Sequence, residues 1–201
     1  MLMDDLKKNT QQYILESAFD IFIVKGYDNT TMEDIVNNCG MSKGAIYHYY
    51  KSKKDLFIDL IDHWEIYAFP DFYKDEVDNR TAKQTLRDFG FEVLNVYNKK
   101  KYVFIAEIEF WALANRDQEI KDKSKVLYKK ILKLFEAVLN KGIKNGEFKK
   151  IDTRITAMSL LSLLQGINWF CVFEGSKSDL NASDYILTSI NHIIDSIDLK
   201  G

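Results

Sequence analysis

Proline is nearly absent from this chain: Pro70 is the one proline in 201 residues, so little stands in the way of long helices. The two cysteines, Cys39 and Cys171, lie far apart in apolar helical contexts. They read as buried thiols in a reducing compartment, where a disulfide is not expected. The three histidines, His48, His63 and His192, are scattered, and none has a ligand-spaced Cys, His or carboxylate partner. His63, between Asp62 and Glu65, reads as an exposed helix face. There is no Gly-rich phosphate loop and no nucleophile elbow, so neither an enzyme nor a cofactor or metal is expected. Long hydrophobic runs are missing too. The most apolar stretch, residues 158–173, is broken by Ser159, Ser162, Gln165, Gly166 and Asn168, which excludes a membrane span. The leading MLMDDLKKNTQQ has no apolar core of signal-peptide length, so a cytoplasmic location is expected. No period-2 strand pattern, repeat or low-complexity segment appears.

What is present is helical patterning in an ordinary globular composition, 46 % hydrophobic and 29 % charged with a net charge of −2. After a charged lead-in over residues 1–8, a helix from about Asn9 to Lys25 carries Ile14, Leu15, Ala18, Phe19, Phe22 and Ile23 on one stripe. Gly26 stops it, and Tyr27 is expected to pack over the seam. A helix from Lys53 towards Pro70 follows, with Leu56, Phe57, Leu60, Ile61 and Trp64 on its stripe. Further helices are expected at about 81–99, 102–114, 119–145, 153–174 and 182–197.

Between the first helix and Lys53 lies the most informative stretch, TTMEDIVNNCGMSKGAIYHYYKSKKDL. It reads as two short helices and a tight turn. Thr30 and Glu33 have capping-box spacing, Met32, Ile35 and Val36 make an apolar face, and Gly40 suits the turn. Ser42 can cap a second helix from Lys43 to Tyr50. Ala45, Ile46 and one of Tyr49 or Tyr50 can face a core. Lys43, Gly44, Tyr47 and His48 are then left in solvent, which packing explains poorly. A surface of this kind suits docking in a DNA major groove: cation, hydroxyl and imidazole donors for phosphates and bases, with small residues for close approach. Residues 41–54 hold Lys43, Lys51, Lys53 and Lys54 and no acid.

These residues strongly resemble the N-terminal DNA-binding domain of the TetR family of bacterial one-component regulators. The likeness runs from Ile14, Leu15, Ala18 and Phe22 through Lys25-Gly26-Tyr27 and Thr30-Thr31. It continues over Gly40 to Lys53 and ends at Asp55-Leu56-Phe57. Cys39 and Tyr50 depart mildly, standing where the family favours Ala and Phe. The resemblance implies an all-α protein with a three-helix helix-turn-helix domain over 1–54. A helical ligand-binding and dimerisation domain would follow over 55–201. Contacts to double-stranded operator DNA are expected from Thr31, Ser42, Lys43, Gly44, Ala45, Tyr47, His48, Tyr49, Lys51 and Lys53. Of these, Lys43, Lys53 and the capping hydroxyls would serve phosphates.

The segment 153–174 is apolar nearly all round, which places it against more than one partner. With the Ile-rich last helix it can build a four-helix interface between two subunits. The family resemblance assigns Leu160, Leu164, Ile190 and Ile194 to that homodimer interface; the alternative is that all of them are core within one chain. Two reading heads would serve half-sites about 34–36 Å apart or multiples of that spacing. The aromatic-rich middle can be core, or it can line a pocket for an unknown small molecule, apolar or amphipathic. Expected lining residues are Trp64, Tyr67, Phe89, Phe104, Glu107, Phe110, Trp111, Gln165 and Trp169. The competing reading is a helical sensor that has lost DNA binding and acts on another protein. The basic 41–54 segment argues against it.

Overall fold

The computed structural model describes residues 2–68, 80–100, 102–174 and 182–199, and bears out the all-α expectation. Nine helices occur among the described residues: α1 Leu2–Lys25, α2 Met32–Cys39, α3 Lys43–Tyr49, α4 Lys53–Ala68, α5 Ala82–Lys100, α6 Tyr102–Ala114, α7 Gln118–Lys144, α8 Thr153–Glu174 and α9 Ala182–Ile197. Helix α1 starts at Leu2, so the lead-in is part of the first helix. Pro70 lies outside the described residues. Two compact units emerge, one of Met1–Trp64 with Ile105–Ser124, the other of Glu65–Phe104 with Lys125–Gly201.

The first unit is built on the α1 stripe. Ile14, Leu15, Ala18 and Phe22 are buried together with Ile35, Ile46, Leu56, Phe57, Leu60 and Ile61. Polar ties position α2 on α1. The Tyr13 hydroxyl donates to the Cys39 carbonyl at 3.1 Å, and the Asn38 amide donates to the Ser17 carbonyl at 2.8 Å. Tyr50, not Tyr49, is the buried tyrosine after α3; its hydroxyl donates to Asp59 on α4 at 2.5 Å. Helix α6 belongs to this unit through Phe110, whose ring meets Phe57 edge-on at 4.8 Å.

The second unit packs α9 against α5 and α8. Phe89 on α5 meets Phe135 on α7 edge-on at 5.0 Å. A short crossing closes the base: the Lys149 amide donates to the Ile197 carbonyl, and the Leu199 amide to that of Glu147. The Glu147 carboxylate accepts the first free amides of α5, from Ala82 and Lys83. A carboxylate there satisfies orphan donors and complements the helix dipole.

This core claims residues that the sequence reading assigned elsewhere. Leu160, Leu164, Ile190 and Ile194, expected at a subunit interface, are 1 %, 4 %, 2 % and 0 % exposed inside the unit. A side chain already removed from water has almost no area left to give a partner. The open face of α8 instead carries Ile155, Met158, Ser162, Trp169 and Phe170 at helical spacing. The amphipathic period finds such stripes; it does not say which faces inward when a helix is apolar nearly all round.

Gly142 marks the tightest approach. A Cβ there would sit 2.1 Å from the buried Phe148 ring and 2.9 Å from the Ala82 methyl. Gly142→Ala should therefore destabilise the protein by about 1–3 kcal/mol, the usual cost of overpacking, in a urea titration followed by circular dichroism. A variant as stable as the parent would show that Phe148 can move aside freely.

Candidate nucleic-acid interface

The turn between α2 and α3 is set by local chemistry. Thr31, one residue later than the spacing suggested, caps α2. Its hydroxyl accepts the Asp34 amide at 3.1 Å and donates to the Asp34 carboxylate at 2.8 Å, while the Thr31 amide donates to that carboxylate at 2.9 Å. Thr30 is buried instead, with its hydroxyl donating to the Gly26 carbonyl at 2.7 Å. Asp34, not Glu33, completes the box, and the Lys25 ammonium with the Thr31 donors holds its carboxyl down to about 2. Gly40 ends α2 at φ 66°, a left-handed conformation that a Cβ disfavours. Ser42 caps α3 by accepting the Ala45 amide at 3.2 Å.

Helix α3 presents the surface expected from the sequence. Ile46 is fully buried against the unit, while Lys43, Gly44 and His48 are exposed and Ala45, Tyr47 and Tyr49 are half-buried. Nothing lies within 4 Å of the position a Gly44 Cβ would take, so the backbone there is open to a partner. Lys43 lies 5.8 Å from the Tyr47 ring centroid, and the His48 ring meets Tyr49 edge-on at 5.3 Å. Exposed Lys51 donates to the Tyr47 carbonyl at 2.8 Å. Thr31 and Ser42 are exposed at the two helix starts.

Lys53 requires a correction. Its ammonium donates to the carbonyls of Tyr27, Asp28 and Thr30 at 2.7, 3.1 and 2.9 Å, and sits 4.4 Å over the Tyr27 ring. An ammonium has three donors, and all three are directed to the loop before α2, so Lys53 staples that loop rather than standing free for a phosphate. Lys54 is also engaged, with Asp117 at 2.7 Å and Glu119 at 2.9 Å; those two hydrogen bonds push its pKa well up. Half of the basic island is thus structural. No local signal shows this, because the carbonyls and acids lie far away in sequence.

Tyr27 packs as expected, 5.6 Å from Phe22 and 4.6 Å from Phe57. Its amide donates to Glu109 Oε2 on α6 at 3.1 Å. Burial, and more weakly Asp28, push the Glu109 carboxyl up, against the pull of that amide. Gly26, Tyr27, Asp28 and Asn29 with Glu109, Ala112, Leu113 and Arg116 line a cleft of about 190 Å³. None of the nine residues expected in a ligand pocket lines it. Of these, Glu107, Phe110 and Trp111 fall in the first unit, and Phe89, Phe104, Gln165 and Trp169 in the second. Phe89, Phe104 and Phe110 are buried core rings, while Trp111 and Trp169 are exposed. The side chains of Trp64 and Tyr67 lie outside the described residues.

Comparison with known proteins agrees with this geometry. Residues 14–60 match the bacterial regulatory proteins of the tetR family, and residues 68–191 match the C-terminal region of QacR-like proteins. The chain belongs to the TetR family of bacterial transcriptional regulators. An uncharacterized HTH-type transcriptional regulator, YfiR of Bacillus subtilis, is 27 % identical over 87 % of this chain and 86 % of its own. The crystal structure of a TetR transcription regulator from Haloarcula marismortui superposes with a TM-score of 0.83 at 19 % identity, covering 95 % of this chain and 99 % of that one. FadR from Bacillus subtilis, solved in complex with stearoyl-CoA, gives a TM-score of 0.73 at 21 % identity, covering 92 % and 95 %. The chain is therefore a DNA-binding transcriptional regulator. No helix among the described residues is long and apolar enough to cross a membrane.

Two outcomes test the loop anchors. Lys53→Ala strips three carbonyls of their donor and should cost about 1–2 kcal/mol, read as a lower Tm without DNA present. An unchanged Tm would return Lys53 to a phosphate role. Glu109→Gln keeps an acceptor for the Tyr27 amide and removes the charge. A raised native pKa means that the folded state holds its proton longer, so the ionised group costs stability as pH rises above the ordinary glutamate value of 4.5. The Tm of the Gln variant should thus gain on the parent between about pH 4 and pH 7; a constant difference would show that Glu109 titrates normally.

Proposed function

We propose that α3 enters the major groove of an operator, with Gly44, Ala45, Tyr47, His48 and Tyr49 on its reading side. Lys43, Lys51 and the caps Thr31 and Ser42 face the phosphates. The open face of α3 carries this reading: a lysine, a bare Gly44 backbone and a histidine left in solvent above a buried Ile46. Residues 1–54 form the DNA-binding domain and 55–201 a ligand-binding and dimerisation domain. The protein acts in the cytoplasm as a homodimeric repressor. The uncovered apolar face of α8 supplies the surface for the second copy, in place of the four core residues. A small apolar or amphipathic molecule binds the C-terminal domain and releases the operator; that FadR, of similar fold, is found in complex with stearoyl-CoA supports a ligand of this kind. Such a ligand must favour one of two states, because equal affinity shifts nothing.

The test is a fluorescence-anisotropy titration with the gene's own upstream DNA against a scrambled duplex at fixed salt. Two protomers per site and a preference of about 10³-fold or more are expected. Lys43→Ala should weaken binding to every sequence and lower the salt slope by about one unit, while Tyr47→Ala should cost about 1–3 kcal/mol on the preferred site. Absence of binding at low salt would overturn the reading in favour of a protein partner.

A further inference from the structure

The cleft beside the Gly26–Asn29 loop has no lining residue from α3, and the reading above makes no use of it. Its chemistry is concentrated on Glu109. One carboxylate oxygen, Oε2, accepts the Tyr27 amide at 3.1 Å; the other has no hydrogen-bond partner among the described residues. That second oxygen faces Gly26, where a Cβ would come within 3.2 Å of it. Arg116 and Asp28 also line the cleft and pair with each other at 3.8 Å, with both side chains more than 70 % exposed. Ala112, Leu113 and Tyr27 complete the wall.

A neutral amide would hold a backbone N–H as well as a carboxylate does. A half-buried carboxylate carries a desolvation cost that only a cation offsets well, and burial does raise the proton affinity of Glu109. We propose that this cleft binds a small organic cation, a protonated amine with a short apolar stem. Its ammonium donates to Glu109 Oε1, and its stem lies against Ala112 and Leu113. At about 190 Å³ the cleft is smaller than the roughly 300–1,000 Å³ of drug-sized pockets, so it selects amines of a few carbons. The site lies within the unit that carries α3, and its Glu109, Ala112 and Leu113 belong to residues 55–201, so the inference rests on the ligand-binding role proposed for them above. Because Glu109 also holds the Tyr27 amide, an occupied cleft braces the loop that leads into α2.

The experiment follows Tm of the full chain, without DNA, against n-butylammonium chloride. Sodium chloride at equal ionic strength and 1-butanol at equal concentration serve as controls. A saturable rise of about 3 °C at tenfold the half-saturating amine is expected, and neither control should reproduce it. Glu109→Gln, which keeps the acceptor for Tyr27, should abolish the rise. Ala112→Phe, which puts a large ring into the cleft and keeps the carboxylate, should abolish it as well. A rise shared with sodium chloride, or one that survives in either folded variant, overturns the proposal. If Glu109→Gln does not fold, Ala112→Phe decides alone. Since no step uses DNA, the outcome is independent of the operator reading.

Discussion

The first unit depends on how one ammonium is used. Lys53 opens α4, and from there it donates to three carbonyls, those of Tyr27, Asp28 and Thr30, in the loop that joins α1 to α2. The Tyr27 ring beneath it is wedged between Phe22 and Phe57, so the same contact joins the loop to the aromatic core. With the loop held, Thr31 sits where its side chain can cap α2, and the α2–α3 turn follows from Gly40 and Ser42. The open face of α3 is the end product of this chain of constraints.

Charge is divided between structure and recognition within a few residues. Lys53 and Lys54 are engaged within the unit, one by carbonyls and one by Asp117 and Glu119. Lys43 and Lys51 stay exposed. Lys123 likewise pairs with Asp62 of α4 at 2.5 Å. These ties, with the Glu109 and Phe110 contacts of α6, join α6 and the start of α7 to the unit that carries α3. The basic island was the sequence's main argument against a sensor without DNA binding. With half of it structural, that argument now rests on the open α3 face and on family membership.

Much of the site was legible because its signals are local. Ser42 capping α3, the positive φ of Gly40 and the exposure of Lys43, Gly44 and His48 each follow from residues within one or two turns. The capping box falls one residue later than its spacing predicts, because Thr30-Thr31 and Glu33-Asp34 allow either register. The choice falls to Thr31 because the Thr30 hydroxyl is drawn back to the Gly26 carbonyl. The roles of Lys53 and Glu109 were not legible: their partners lie 23–26 and 82 residues away.

The order and type of the helices, and the identity of the helix-turn-helix, were determined by the sequence alone, since helical periodicity, caps and near-absence of proline act over a few residues. Which apolar stripe became core was decided only by tertiary structure. Leu160, Leu164, Ile190 and Ile194 went inside, and Ile155, Met158, Trp169 and Phe170 stayed out. A 3.6-residue period marks every apolar face of a helix equally, and only packing against other helices chooses between them.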